Sequence, residues 1–366
     1  MREQGNLTPT LFEPIRVGSI EMDNRIIMAP MTRGRADDAG VQPAYAAEYY
    51  RQRASAGLII TEATNVSPMA KGYIRTPGIY TAEQVEGWRR ITNAVHARGG
   101  KIFLQVFHTG RIALPDFLPG GALPVAPSAV KAKGQNYTDE GMKDFVTPRE
   151  MTTDEVRQTV RDFAAAASNA IEAGFDGVEL HGANGYLAHQ FLGTNTNLRT
   201  DQYGGSQENR ARFLLEVLDS MSAAIGVKRV GVKLSPSVPF NNMQDADAEE
   251  FYPFVIRKLN ERNLAYLHIG FEEAPTTEIN WHRRLRPLYR GVYFANGGFT
   301  RETGEKLLAG AGADAVVYGK LFLANPDLPE RFKRNAPLNE PDQSTFYTPG
   351  KKGYIDYPMF ERASAA

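Results

Sequence analysis

The chain has 366 residues, 42% of them hydrophobic, which is enough to bury a large core and sits within the range of an α/β barrel with insertions. Lys and Arg total 42, as do Asp and Glu, so the net charge is zero and no long-range field favours a nucleic acid or another polyanion. With no cysteine, disulfides, Cys-ligated zinc and Cys-ligated iron–sulfur clusters are excluded.

Met1–Pro14 mixes Arg2, Glu3, Gln4 and Asn6 with proline and has no continuous apolar stretch. It reads as neither a signal peptide nor a membrane span, and the expected location is the cytoplasm. After this segment, taken as 1–25, eight short apolar runs follow: Ile26–Ala29, Leu58–Thr61, Ile102–Phe107, Gly177–Leu180, Val230–Leu234, Tyr266–Ile269, Val292–Ala295 and Ala315–Tyr318. Most are bounded by Gly, Asn or Pro, as suits strands buried on both faces. Between them the period turns helical: Val85, Trp88, Ile91 and Val95 share one face, as do Val156, Val160, Phe163, Ala167 and Ile171. Thr81 with Gln84, and Thr152 with Glu155, fit capping boxes.

Eight strand–helix units are the number that closes a TIM (β/α)8 barrel, so one α/β domain is expected over 1–366. Two irregular stretches, Gly110–Glu150 and Thr194–Ser206, follow strands on the catalytic side. They read as lid or channel insertions, with a tail over about 336–366.

Barrel active sites form where strands end. Thr32 follows the first strand; Gln105 lies in the third, with His108 after it; His181, Asn184 and Tyr186 follow the fourth. Lys233 ends the fifth, Asn296-Gly297-Gly298 follow the seventh, and Gly319-Lys320 the eighth. Gly-rich turns after the last two strands suit a phosphate-bearing ligand, although the same glycines could serve only as tight turns. His181 and Asn184, read at the start of a short helix over Gly185–Leu192, can aim two donors at one oxygen, with the Tyr186 phenol as a general acid nearby. The competing reading is a satisfied loop histidine beside a packing aromatic. Gly310-Ala-Gly312 leads from helix to strand, the wrong order for a dinucleotide fingerprint, and the six histidines lack metal-ligand spacing.

Long segments then point to a family. Asn24-Arg-Ile-Ile-Met-Ala-Pro-Met-Thr-Arg33, Leu58-Ile-Ile-Thr-Glu-Ala-Thr64, His181-Gly-Ala-Asn184, Arg199-Thr-Asp-Gln-Tyr-Gly-Gly-Ser206, Glu208-Asn-Arg210 and Asn325-Pro-Asp327 resemble the Old Yellow Enzyme family, from Leu11 to Pro358. The resemblance implies non-covalent FMN, NAD(P)H as electron donor, and reduction of an activated alkene, with the protein a monomer or homo-oligomer. It implies that Pro30, Met31, Thr32, Ala63, Gln105 and Lys233 meet the flavin ring, while Gly297, Gly298, Gly319 and Lys320 meet its phosphate. His181 and Asn184 would bind the substrate oxygen, Tyr186 would protonate the α-carbon, and Phe107, Phe346 and Tyr347 would line the pocket. The charged residues of Arg199–Ser206 would brace their loop. Lys233 and Lys320 stand where the family usually has Arg, keeping the charge without the bidentate fork. Phe107 replaces a frequent Trp, which implies a roomier pocket. The alternatives are a barrel oxidase of 2-hydroxy acids, whose His–Arg motifs are absent, and a non-catalytic flavin-binding protein.

Overall fold

The computed structural model describes residues 10–271 and 274–360. Positions 1–9 of the expected N-terminal segment and 361–366 of the expected tail lie outside the described residues. Eight parallel strands form the centre: β1 (Ile26–Met28), β2 (Leu58–Ile60), β3 (Ile102–Phe107), β4 (Gly177–His181), β5 (Val230–Leu234), β6 (Tyr266–Ile269), β7 (Tyr293–Asn296) and β8 (Ala315–Tyr318). Each pairs with the next in sequence. β8 closes on β1 with Val317 opposite Ile27, so the sheet is the expected barrel.

Strand periodicity sorts the apolar side chains into two layers. Ile27, Ala29, Leu58, Ile60, Phe103, Tyr266, Phe294 and Val317 fill the barrel, whereas Ile26, Met28, Ile59, Leu104, Val178 and Val232 pack with the surrounding helices. Inside, the Tyr266 ring stacks on Phe294 with centroids 4.2 Å apart. Gly177 and Gly231 leave room for such rings: a Cβ would come within 2.5 Å of Phe103 at the first and 2.3 Å of Tyr266 at the second.

The outer layer includes α1 (Ala46–Gln52), α2 (Ala82–His96), α3 (Thr153–Glu172), α4 (Gln207–Ile225), α5 (Ala248–Asn260), α6 (Trp281–Leu285), α7 (Arg301–Ala309) and α8 (Leu328–Arg334). Both expected capping boxes form: Thr81 with Gln84 starts α2, and Thr152 with Glu155 starts α3. Val85, Trp88, Ile91 and Val95 turn their shared face inward, as the 3.6-residue period demands.

An antiparallel hairpin, Ile15–Val17 with Ile20–Met22, seals the end of the barrel where the strands begin. Its Val17, Ile20 and Met22 join the interior cluster. Gly18, in the left-handed region at φ 55°, fits so closely that a Cβ would sit 2.1 Å from the Lys228 carbonyl oxygen. At the opposite end, the stretch 110–150 is more ordered than its Pro and Gly content suggests. It contains the hairpin Gln135–Thr138 with Gly141–Asp144, turned at Asp139-Glu140, and a parallel pairing of Val125–Ala126 with Arg149–Glu150. In the second insertion Arg199 braces its loop, bonding Asp201 and the carbonyls of Pro127 and Met151. Among the described residues no helix is long and apolar enough to cross a membrane.

Candidate active site

A cavity of about 530 Å³ opens at the C-terminal ends of the strands, within the usual range for cofactor and ligand sites. Pro30, Met31 and Thr32 reach it from the turn after β1, Ala63 from beyond β2, and Gln105 from β3. β4 and its loop contribute His181, Asn184 and Tyr186, and β5 contributes Lys233. Gly298, Gly319 and Lys320 form one flank, with Phe346 and Tyr347 of the C-terminal segment opposite the barrel.

Two of the expected residues stand off this wall, Gly297 and Phe107. Phe107 is buried behind His181 and Tyr186, its ring stacked on the imidazole at 6.2 Å and edge-on to the phenol at 5.4 Å. The Phe107 ring thus packs against both His181 and Tyr186.

The geometry of the His181–Asn184 pair also departs from the expected helix start. His181 is the last residue of β4, and Asn184 lies in a left-handed turn at φ 57°, followed by Gly185 at φ 71°. The helix runs only over Leu187–Leu192, with Tyr186 before it. Gly185 cannot carry a side chain, since a Cβ would lie 2.7 Å from that of Asn241. The turn is pinned throughout. Asn184 N donates to Ser235 Oγ at 2.8 Å, Asn241 Nδ2 to the Asn184 carbonyl at 2.8 Å, and Gly185 N to His189 Nδ1 at 3.0 Å.

Burial, reinforced by the Lys233 charge, holds the His181 imidazole well below the usual histidine pKa, so it is neutral at ordinary pH. Its Nδ1 and the Oδ1 of Asn184 are both buried and lack a protein hydrogen-bond partner. Both residues line the cavity, and what they can offer a ligand oxygen there is a donor each, an imidazole ring N–H and the Asn184 Nδ2 amide. Tyr186 packs edge-on to His181 at 4.9 Å.

Deeper in the barrel, Gln105 Nε2 donates to Glu179 Oε1 at 2.7 Å, and the other Glu179 oxygen meets His268 Nδ1 at 2.9 Å. With its NH2 committed to a carboxylate, Gln105 has its carbonyl oxygen left to accept from a ring N–H. Lys233 is buried alongside, a cation able to face an electron-rich ring edge. On the other flank Gly298 has φ 75° and open space where a Cβ would stand, and a Cβ at Gly319 would meet only Ala29 and Met31, at 3.7 Å. Side chains at either glycine would narrow a backbone-lined recess of the kind that holds phosphate. An acceptor and a cation deep in the barrel, and a glycine recess at the rim, match the functional groups of FMN from ring to phosphate.

Several wall residues carry no motif that sequence reasoning could have used, among them Phe240, Phe271 and Phe299. Tyr73, whose hydroxyl lies 3.1 Å from that of Tyr186, was missed for the same reason. So were the anchors of the tail: Arg33 donates to the carbonyls of Phe346 and Gly353, and Arg35 to those of Thr345, Phe346, Gly350 and Lys352.

The profile of the NADH:flavin oxidoreductase / NADH oxidase family matches residues 10–339. The chain is 46% identical to 12-oxophytodienoate reductase 1 of Oryza sativa subsp. japonica over 96% of its own length and 93% of the relative's. It is 45% identical to a probable flavin mononucleotide-dependent alkene reductase of Leishmania infantum, covering 95% and 97%. Among solved structures, morphinone reductase in complex with tetrahydroNAD superposes with a TM-score of 0.93 at 45% identity, covering 98% of this chain and 99% of that one. The Old Yellow Enzyme homologue from Zymomonas mobilis gives 0.94 at 41%, covering 96% and 100%. The chain belongs to the NADH:flavin oxidoreductase / NADH oxidase family, and is an FMN-dependent oxidoreductase of the Old Yellow Enzyme kind with a nicotinamide nucleotide as electron donor.

Proposed function

We propose that the protein reduces the carbon–carbon double bond of α,β-unsaturated carbonyl compounds and nitroalkenes. The observation that carries this reading is the grouping, on the wall of one flavin-sized cavity, of the His181 imidazole, the Asn184 amide and the Tyr186 phenol. FMN, held by the residues of the cavity wall, would supply the redox chemistry, hydride transfer between NAD(P)H and the β-carbon of the alkene.

The chain's own residues do the rest. As the β-carbon is reduced, the carbonyl or nitro oxygen gains negative charge, and His181 and Asn184 bind it more tightly than in the ground state. A neutral imidazole suits this role, since it donates a hydrogen bond and keeps its proton. Tyr186 gives its phenolic proton to the α-carbon. Lys233 would stabilise negative charge at the flavin ring, Gln105 would accept from the ring edge, and Pro30, Met31, Thr32 and Ala63 would line it. Gly298, Gly319 and Lys320 would hold the phosphate, while Phe346 and Tyr347 would shape the substrate side. The names of relatives as reductases of 12-oxophytodienoate and morphinone make oxo compounds with a conjugated alkene the first substrates to assay. A 2-hydroxy acid oxidase would need an arginine clamp for the carboxylate, and the described cavity lining has none.

The test is Tyr186→Phe, which removes the hydroxyl and keeps the ring. Stopped-flow traces should show near-parent flavin reduction by NAD(P)H but reoxidation by cyclohexenone slower by ~10²–10⁴-fold, the range for loss of a general acid. Nitroalkenes, whose nitronate is stable enough to take its proton from water, should be affected far less. Parent-rate enone turnover would remove Tyr186 from this role.

A further inference from the structure

Each turnover that takes a proton from Tyr186 leaves a phenolate that must be reprotonated before the next, and Tyr186 is only 9% exposed. Its surroundings suggest how. The Tyr73 hydroxyl lies 3.1 Å from the Tyr186 hydroxyl, within hydrogen-bond reach, and the two rings meet edge-on. Tyr73 lies outside the flavin cavity, on the wall of a second chamber of about 480 Å³. Tyr186 borders both spaces, so the hydroxyl pair bridges them.

The bridge is held on purpose-built backbone. Asn241 and Asn242 both adopt left-handed φ, at 57° and 58°, in a short 3-10 turn. This left-handed conformation is one that asparagine adopts more readily than other side chains. It brings the Asn241 amide to the Tyr73 hydroxyl while that amide also donates to the Asn184 carbonyl. One side chain thus ties the outer phenol to the turn that carries Asn184.

We propose that Tyr73 is the proton relay for Tyr186, passing protons from water in the outer chamber to the catalytic phenol. This rests on the reading of Tyr186 as the acid. The sequence balances: Tyr186 O–H breaks as the α-carbon–H bond forms, Tyr73 O–H breaks as Tyr186 O–H re-forms, and water or a buffer acid in the outer chamber returns a proton to Tyr73. The net consumption is one solvent proton per alkene. Burial pushes the Tyr73 phenol up to about 12, so it rests protonated, ready to donate to a phenolate.

The FMN-loaded enzyme with Tyr73→Phe tests this. A relay is needed after the first proton is spent, so the ratio of steady-state cyclohexenone turnover to the first reoxidation event should fall about tenfold, and added formate or phosphate buffer should restore it. A side chain that only packs would not respond to buffer. Labelling tyrosine Cζ with ¹³C gives a second readout, because loss of the partner should move the Tyr186 resonance, assigned by its absence in Tyr186→Phe. An unchanged ratio, equal slowing of both phases without buffer rescue, or an unmoved resonance overturns the relay. Parent-rate enone turnover in Tyr186→Phe instead overturns the acid assignment itself, and the relay with it.

Discussion

Arg35→Met should free the C-terminal segment without unfolding the barrel. Arg35 is 4% exposed, and its guanidinium donates to four carbonyls of the segment at 2.9 to 3.1 Å while lying 4.5 Å over the Tyr354 ring. A bond from a charged donor contributes about 1.5–3 kcal/mol, so four would nominally give ~6–12. That sum is an upper limit, because one cation shares its charge among four acceptors and the carbonyls regain water once the segment lifts. Arg33 also keeps its own bonds to Phe346 and Gly353. A loss of ~3–4 kcal/mol of docking energy is therefore expected, raising the open population about 10²–10³-fold. Because Phe346 and Tyr347 line the cavity, the KM for cyclohexenone should rise about tenfold or more, equivalent to ~1.4 kcal/mol of lost apolar wall. Hydrogen exchange should accelerate over 345–354, and trypsin should cut after Lys351 or Lys352 while the barrel stays protected. Parent-like exchange in the segment would refute the argument, as would barrel and segment melting together at a lower urea concentration.

His181→Ala or Asn184→Ala should weaken binding of phenolic ligands, read by flavin absorbance titration, and slow enone reduction by ~10²-fold or more, the scale for one lost oxyanion donor; parent-rate turnover in both would exclude the pair from that role. Stability should fall as pH drops from about 6.5 to 5. Burial holds His181 well below 6.5, His108 to about 3 and His282 to about 4, so the unfolded chain binds protons that the native state refuses. Each such histidine contributes up to about 1.4 kcal/mol per pH unit, and urea midpoints that do not move between pH 7 and 5 would contradict it.

The barrel was legible because its signal is redundant. Eight apolar runs separated by amphipathic helices leave few alternatives, and the two capping boxes are local chemistry that tertiary context had no reason to override. The strand-end residues were legible for a related reason: in a barrel, sequence position fixes which end a residue occupies, so Gln105, His181 and Lys233 could be assigned to the mouth. What could not be read was contact between segments far apart in the chain. Tyr73 and Tyr186 are 113 residues apart, and Arg35 reaches Phe346 across 311. The left-handed turn at Asn184 was hidden as well, since its helical alternative is ruled out by Asn241, 57 residues further on.

The hairpin that plugs the far end of the barrel makes the cavity a cul-de-sac. Its Val17, Ile20 and Met22 merge with the interior core, so nothing the size of a nicotinamide can pass beneath the flavin site. The cavity adjoins the second chamber through Thr32, Tyr186, Phe240 and Tyr347. An electron donor and an electron acceptor that both approach from this side would share one doorway and one seat. The spent nucleotide would then have to leave before the alkene could sit down, making each a competitive inhibitor of the other's half of the cycle and an excess of either a brake.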